Sequence, residues 1–416
     1  MLIALSLSVA RSALSLSRSQ RSGPNGTPST GDSLSVYLLT IGQGDQVWER
    51  FGHNAIGIRD QRTRSDVVFN WGLFDFAQPG FIPHFIRGEM VYWMAGFDAA
   101  QSVVEYITHN RAVTIQELNL TPEQRTALVE FVQWNSRDEN KYYRYDYFRD
   151  NCSTRVRDAL DRVLHGAIRR ATEPIITSES YRETALRLMA EDPLTATGMD
   201  IGLGLPADRR ITAWEEMFIP MRLRDRLRNI QVSDGHGQLV PLVSTERIVF
   251  EPKRPAEATR PPNRSALFLL IGTLIGGLML TVYPAHASVS RRRQVMARSA
   301  IVLWSIVVGF LGLLLTFLWF GTRHVYAYEN LNLLQYNPIW FALALVVPFV
   351  GRGSGTARWA VWLATTAAGL TILAMVIACV PPFRQHSLAV LLLVAPPNLA
   401  TALVVRRLLA PGPVSS

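Results

Sequence analysis

Five apolar stretches between residues 265 and 410 constrain this chain more than any other feature. Residues 265–283 and 299–320 carry no charge and are each long enough to cross the hydrocarbon of a bilayer, which takes about 20 residues of helix. Residues 338–350 are short, and reach spanning length only when extended back to Leu331. Residues 357–380 form a fourth span, and residues 388–405 a fifth that contains Pro396-Pro397. Two adjacent prolines remove two backbone donors and predict a kink there. The alternative count is fewer spans with one re-entrant segment, the third stretch being the one to lose.

Charge in the connecting loops orients the spans. Arg291, Arg292, Arg293 and Arg298 follow the first, Arg352 and Arg358 the third, and Arg406 and Arg407 the fifth. The loops after the second and fourth hold only Arg323 and Arg384. Loops rich in Lys and Arg stay inside. Five spans therefore put residues before 265 outside and the C-terminus inside. Residues 1–10 are apolar with Ser and Ala following, like a signal h-region without its basic flank. Residues 17–33 are rich in Ser, Gly, Pro and Arg, so 1–33 reads as a signal- or anchor-like segment plus linker. This placement also explains the net charge of +9 and the pI near 9.9, since much of the Arg flanks apolar segments. No basic stripe interleaved with aromatics is present, so nucleic acid is not an expected partner.

Residues 34–250 read as one mixed α+β domain, with residues 251–264 a Pro-rich, charged linker into the first span. Residues 34–41 are β-rich. Residues 51–59 and 67–72 read as a hairpin across a polar loop, and 111–118 as a further strand. Thr121-Pro122-Glu123-Gln124 is a helix start with Pro at the first position and Gln in the capping-box place, running to about Asn135. Residues 209–229 read as a basic helix, and 230–250 as a hairpin turning at Asp234-Gly235 or His236-Gly237.

Cys152 is the one cysteine of this polar half; Cys379 lies in an apolar span. A lone thiol facing an oxidising compartment has no partner in its own domain, so it is either buried and inert or chemically used. Asp150 and Asn151 are good N-caps, and Val156, Leu160, Val163 and Leu164 mark one face of the helix that follows. Cys152 then sits in the first helical turn, where unpaired N–H groups and the helix dipole favour a thiolate. The opposing reading is a buried cysteine packed as a small hydrophobe.

A nucleophilic thiol needs a base, and imidazole is the usual one near neutral pH. His53 follows Gly52 at the start of a β-rich run and is held more stiffly than His84, His109, His165 or His236. A third group should hold the imidazole's tautomer. Asn70 on the returning strand is one choice and Asp75 just beyond it the other; whether Asn70 shares a face with His53 depends on register. No metal-ligand motif, Walker loop or Gly-x-Ser-x-Gly elbow occurs, so no metal and no cofactor is expected. The aromatic run from Trp71 to Met94 fits a core, an acyl-chain slot or a membrane interface.

Three segments carry a family resemblance: residues 51–56 (Phe-Gly-His-Asn-Ala-Ile), residues 67–76 (Val-Val-Phe-Asn-Trp-Gly-Leu-Phe-Asp-Phe), and residues 145–158, which contain Asp-Asn-Cys-Ser-Thr-Arg. Together they resemble the Lnb-type lipoprotein N-acyltransferases. The likeness continues at residues 317–324 and 330–338 and covers roughly residues 35–340. It implies a permuted papain-like outer domain, similar to lecithin:retinol acyltransferase, with the histidine ahead of the cysteine. It also implies an α-helical membrane domain over 265–410 and placement in a bacterial inner membrane, with the thiol domain in the periplasm and the C-terminus in the cytoplasm. The implied reaction moves an acyl chain from a phospholipid, through a thioester, to the α-amino group of a diacylglyceryl-cysteine lipoprotein. Carried over by residue, Cys152 is the nucleophile, His53 the base and Asn70 the third member. Asp75, Asn151, Ser153, Thr154 and Arg155 become substrate-binding candidates, and His324 a head-group candidate. Two other functions stay open: a papain-like hydrolase of cell-wall peptide or lipid, and a non-catalytic membrane sensor or assembly protein.

Overall fold

The computed structural model describes residues 31–283, 290–351 and 354–409. The signal-like segment, most of its linker, Arg352 and the C-terminal Ser416 lie outside the described residues. The described chain forms two compact units: the segment up to Tyr181 with Arg210–Ala258, and Arg182–Arg209 with the chain from Thr259 onward.

The first unit is built on a seven-stranded antiparallel sheet. Its strands are β1 (Leu34–Ile41), β2 (His53–Asp60), β3 (Ser65–Leu73), β4 (Val91–Asp98), β5 (Val113–Leu118), β6 (Tyr142–Arg144) and, after four minor strands, β11 (Val243–Phe250). Their order across the sheet is β11-β5-β1-β2-β3-β4-β6. The expected hairpin is β2–β3, with Ala55 opposite Asn70 and Asp60 opposite Ser65. β1 alternates its two faces as a buried central strand must. Leu34, Val36 and Leu38 join Ile56, Ile58 and Trp71 on one face; Tyr37, Leu39 and Ile41 join Ala55, Val68 and Ile115 on the other.

Each face is covered by helices. Among those of the first half, α1 (Phe81–Arg87) and α2 (Ala99–Thr108) flank β4, α3 is Pro122–Asn135 and α4 is Cys152–Val163. α3 begins with the expected capping box between Thr121 and Gln124. α4 packs Val156, Ala159, Leu160 and Val163 into the first core, while α2 places Ala99, Val103, Tyr106 and Ile107 on the second. The sheet is thus sandwiched, and the histidine strand lies between α2 and the cysteine helix.

Two sequence expectations are corrected. The basic helix over 209–229 is instead a short strand, β8 (Arg210–Thr212), then Ala213–Glu216 and Pro220–Leu227 as separate helices. Pro220 takes a helix N-terminus, where its missing N–H costs nothing, so the helix restarts there. The hairpin over 230–250 is smaller than expected. Only β9 (Gln231–Ser233) and β10 (Leu239–Pro241) pair, and β11 crosses to the edge of the main sheet beside β5. Strands β4 and β6 escaped the sequence reading; β4 carries Tyr92 and Met94 buried in alternation, a period-2 signal hidden in the aromatic run.

The second unit holds five helical segments long and apolar enough to cross a membrane: Ser265–Val282, Arg291–Phe320, Leu331–Phe349, Gly355–Ala378 and Leu388–Leu409. The third is a nine-residue helix, Pro338–Val346, between 3₁₀ turns. Pro396 and Pro397 lie inside the fifth helix. They leave the carbonyls of Leu392 and Leu393 without their usual i+4 donors. The first span meets those carbonyls with Gly272, where an added Cβ would come within 2.4 Å of Leu393 O. Small residues allow such backbone approach in bilayers.

The excursion Arg182–Arg209 is tied to the loops of this unit by amides of the 330–338 motif. Asn330 Nδ2 donates to the carbonyls of Ile201 and Gly202 at 2.8 and 3.0 Å, and Asn332 Nδ2 to those of Asp200 and Ile201 at 3.1 and 2.9 Å. Gln385 Oε1 accepts from Leu331 N at 2.8 Å.

Candidate active site

The site forms where the start of β2, a bulge in β3 and the start of α4 meet. His53 opens β2, and its ring packs 6.4 Å from that of Tyr106 on α2. Its Nε2 lies 2.8 Å from Asn70 Oδ1. Asn70 Nδ2 donates to Val68 O at 3.1 Å, which fixes the amide's orientation and leaves Oδ1 facing the ring. An amide oxygen only accepts. The shared proton therefore sits on Nε2, and Nδ1 is the basic nitrogen. Of the two candidates for the third group, Asn70, opposite Ala55, falls on the face of His53. Asp75 accepts from Ala77 N at 2.8 Å in the turn after β3.

Cys152 is the first residue of α4, and its neighbour Ser153 ties the helix start to Asn54, the residue after His53, with Ser153 Oγ 2.9 Å from Asn54 Oδ1. The cysteine helix thus meets β2 one residue beyond the histidine. Both residues are partly buried. Burial pushes the thiol upward, opposed by backbone N–H groups of Asn54, Ser153 and Cys152 and by the Arg111 charge. This corrects the expected thiolate: desolvation outweighs the helix start. Burial also lowers His53 to about 4, with Asn70 opposing and Arg111 assisting. Both shifts favour a neutral thiol beside a neutral imidazole.

Gly72 makes room for this approach. The β3–β4 register slips between Trp71 and Leu73, and Gly72 takes φ +91°. A Cβ there would stand 3.4 Å from Cys152 Cβ. Bulges of this kind re-aim backbone beside functional sites.

The residues around the thiol have mostly internal duties. Asn151 is the N-cap: its Oδ1 accepts from Ser153 N and Thr154 N at 2.9 and 3.0 Å, and its Nδ2 donates to Tyr147 O and Phe218 O, both at 2.9 Å. Thr154 Oγ1 accepts from Asn151 N at 2.8 Å. Ser153 Oγ lies 2.9 Å from Asn54 Oδ1 and 2.7 Å from Met217 O. The structure thus gives Asn151, Ser153 and Thr154 buried scaffolding contacts rather than a face toward a ligand. Arg155 pairs with Asp150 and lays its guanidinium 4.1 Å from the centroid of Tyr143. His324 belongs to the second unit, where its backbone N–H donates to Thr322 Oγ1 at 3.2 Å.

Sequence reasoning missed Asn54, Arg111 and Tyr143. Asn54 is fully buried, donates to Thr40 Oγ1 at 2.9 Å and binds Ser153, joining the histidine strand to the cysteine helix. Arg111 is buried against Gly42 O and Glu49, with its charge over Tyr106. A polar residue beside the histidine was the only signal for Asn54. Among the described residues no cluster of three or more His, Cys, Asp or Glu side chains is placed to hold a metal.

An α+β unit that brings the start of the Cys152 helix beside the His53 strand, joined in sequence to five candidate spans, defines a membrane-tethered protein. Residues 29–184 match the model of the Lnb N-terminal periplasmic domain, and residues 262–406 that of the Lnb transmembrane domain. The chain belongs to the Lnb family, with a periplasmic N-terminal domain and a five-helix transmembrane domain. Membership implies an acyltransferase that acts on lipoproteins. No curated protein and no solved structure matches the chain.

Proposed function

We propose that this protein is a lipoprotein N-acyltransferase of the inner membrane that works through a Cys152 thioester, on a permuted papain-like domain. The observation that carries the reading is the meeting of the Cys152 helix start with the His53 strand at Asn54, through Ser153 Oγ and Asn54 Oδ1 at 2.9 Å, with Asn70 holding the imidazole so that Nδ1 is basic. His53 takes the thiol proton as sulfur attacks the ester carbonyl of a phospholipid. The tetrahedral intermediate collapses, and the lysophospholipid alcohol leaves with that proton. The α-amine of a diacylated lipoprotein then attacks the thioester, gives a proton to His53, and the sulfur leaves and is reprotonated. Proton transfer coupled to attack suits a resting pair that is neutral.

An aromatic path supports a lipid donor. Exposed Trp48 and Phe76 pack around Phe74, at 6.3 and 5.0 Å between ring centroids. Phe74 stacks on Tyr92 at 5.1 Å, and Tyr92 on Tyr145 at 4.3 Å. Tyr145 in turn packs against the core that α4 joins. Such a path suits an acyl chain better than a cell-wall peptide.

The test is expression in cells depleted of their own apolipoprotein N-acyltransferase, with lipoprotein N-termini read by mass spectrometry. N-acylation is expected from the unmutated protein and is expected to vanish in Cys152→Ala and His53→Ala. No acylation despite good expression sinks the reading; activity in Cys152→Ala sinks the mechanism. A hydroxylamine-labile acyl adduct on Cys152 is expected under trapping. A reporter fused after Ser416 should work only in the cytoplasm.

A further inference from the structure

Tyr143 holds a buried hydroxyl that no described residue partners. The residue sits in β6 opposite Tyr92, and the ring belongs to the core under α4. A buried hydroxyl without a partner costs folding free energy. Phenylalanine would fill the same place without that penalty.

The hydroxyl borders a small space beside the nucleophile. The bare Cα of Gly72 creates it: a Cβ built there lies 3.4 Å from Cys152 Cβ, 3.9 Å from Cys152 N and 3.9 Å from Tyr143 Oη. The helix start contributes one open donor to the same space. Of the first four N–H groups of α4, those of Ser153 and Thr154 go to Asn151 Oδ1 and that of Arg155 to Asn151 O. Cys152 N–H remains. One point is therefore ringed by the nucleophilic residue, its own N–H and a phenolic O–H. This is the arrangement acyl transfer requires where negative charge develops on the carbonyl oxygen. The Arg155 guanidinium over the Tyr143 ring withdraws electron density and strengthens the phenol as a donor. Asp150 holds that guanidinium in place, with Nη2 at 2.7 Å from Oδ2.

We propose that Tyr143 Oη, together with Cys152 N–H, donates to the oxyanion that forms when Cys152 attacks an acyl ester. The assignment rests on Cys152 being the acyl-carrying nucleophile. It makes Tyr143 a catalytic residue, and gives Arg155 and Asp150 the task of positioning it.

The test uses the full-length protein in phospholipid nanodiscs and compares the unmutated chain with Tyr143→Phe. Three readouts are taken: the rate of hydroxylamine-labile acylation of Cys152, the rate of its alkylation by iodoacetamide, and the melting temperature. Alkylation passes through no oxyanion, so it reports the thiol alone. The expectation for Tyr143→Phe is acylation slower by about 10²–10³-fold, as for loss of one oxyanion donor. Alkylation should be unchanged, and the melting temperature equal or higher. Acylation at the unmutated rate overturns the assignment and leaves the thioester reading intact. Acylation and alkylation falling together also overturn it, because the hydroxyl would then act on the thiol. A markedly lower melting temperature overturns it too, since the hydroxyl would be needed for packing. No acyl adduct on Cys152 in the unmutated protein removes the thioester reading and this assignment with it.

Discussion

His53 Nε2 and Asn70 Oδ1 face each other at 2.8 Å across the β2–β3 pair, and this one contact decides which ring nitrogen is basic. Asn70→Ala removes the acceptor that holds the Nε2–H tautomer. Loss of tautomer control in a related grouping of side chains costs up to about 10⁴-fold in kcat. An amide partner carries less charge than a carboxylate, so about 10–10²-fold slower thioester formation is expected here, with the melting temperature little changed. Single-turnover acylation of Cys152 checks this. A rate equal to that of the unmutated protein would mean that strand packing alone holds the imidazole.

The neutral resting pair predicts a distinctive pH behaviour. Burial raises the thiol above its ordinary 9.0, so iodoacetamide alkylation of Cys152 should climb steadily into alkaline pH. A flat plateau from acid to neutral pH would instead signal a thiolate–imidazolium pair. Stability follows His53. The unfolded imidazole titrates near 6.5 and the folded one at about 4, so the unfolded chain binds more protons between those values. The His53 contribution is fully present above pH 6.5 and is lost as pH falls to about 4, by about 3 kcal/mol at most. The acid slope of unfolding should flatten in His53→Gln.

What could be read from the sequence was local, and what could not was long-range. The N-cap before Cys152, the capping box at Thr121 and the β2–β3 hairpin each lie within a few residues of their own signals. The five apolar stretches reappear as five candidate spans for the same reason. The choice of Asn70 over Asp75 needed strand register, which one strand's sequence does not encode. Asn54 and Arg111 reach partners far along the chain, Ser153 and Glu49 respectively. The thiolate expectation failed because a helix start is visible in sequence while desolvation is a property of the packed site. The 182–209 segment shows no apolar period long enough to cross a membrane, yet it packs with the second unit through carbonyls that any sequence would supply.

Gly72 combines a left-handed backbone with a close approach to Cys152. At φ +91° an L side chain is strained, by about 1–3 kcal/mol. The methyl of Gly72→Ala would also occupy the space beside Cys152 Cβ. Both a lower melting temperature and loss of Cys152 acylation are expected, with alkylation by the small reagent iodoacetamide reduced far less. Retained acylation would show that the substrate carbonyl binds elsewhere around the thiol.

Arg182 anchors the 182–209 segment within the second unit. Its side chain is fully buried, with Nη1 2.8 Å from Asp200 Oδ1 and Nε 2.7 Å from Asp208 Oδ1. Nη2 also donates to Leu203 O at 2.6 Å. The guanidinium thus satisfies two carboxylates and a chain turn together, a geometry that a lysine's single ammonium does not reproduce. Removing one partner of a buried pair leaves uncompensated charge and costs about 3–5 kcal/mol. Arg182→Met is expected to lower the melting temperature of the solubilised protein and to open residues 182–209 to protease, and Arg182→Lys to recover only part of the loss. The intramolecular bonds of Asn330 and Asn332 to this segment should fail with it, so Asn332→Ala ought to show the same protease pattern more weakly. If Arg182→Met leaves both melting and cleavage unchanged, the segment is held by those amides alone, and the ion pairs do no more than neutralise each other.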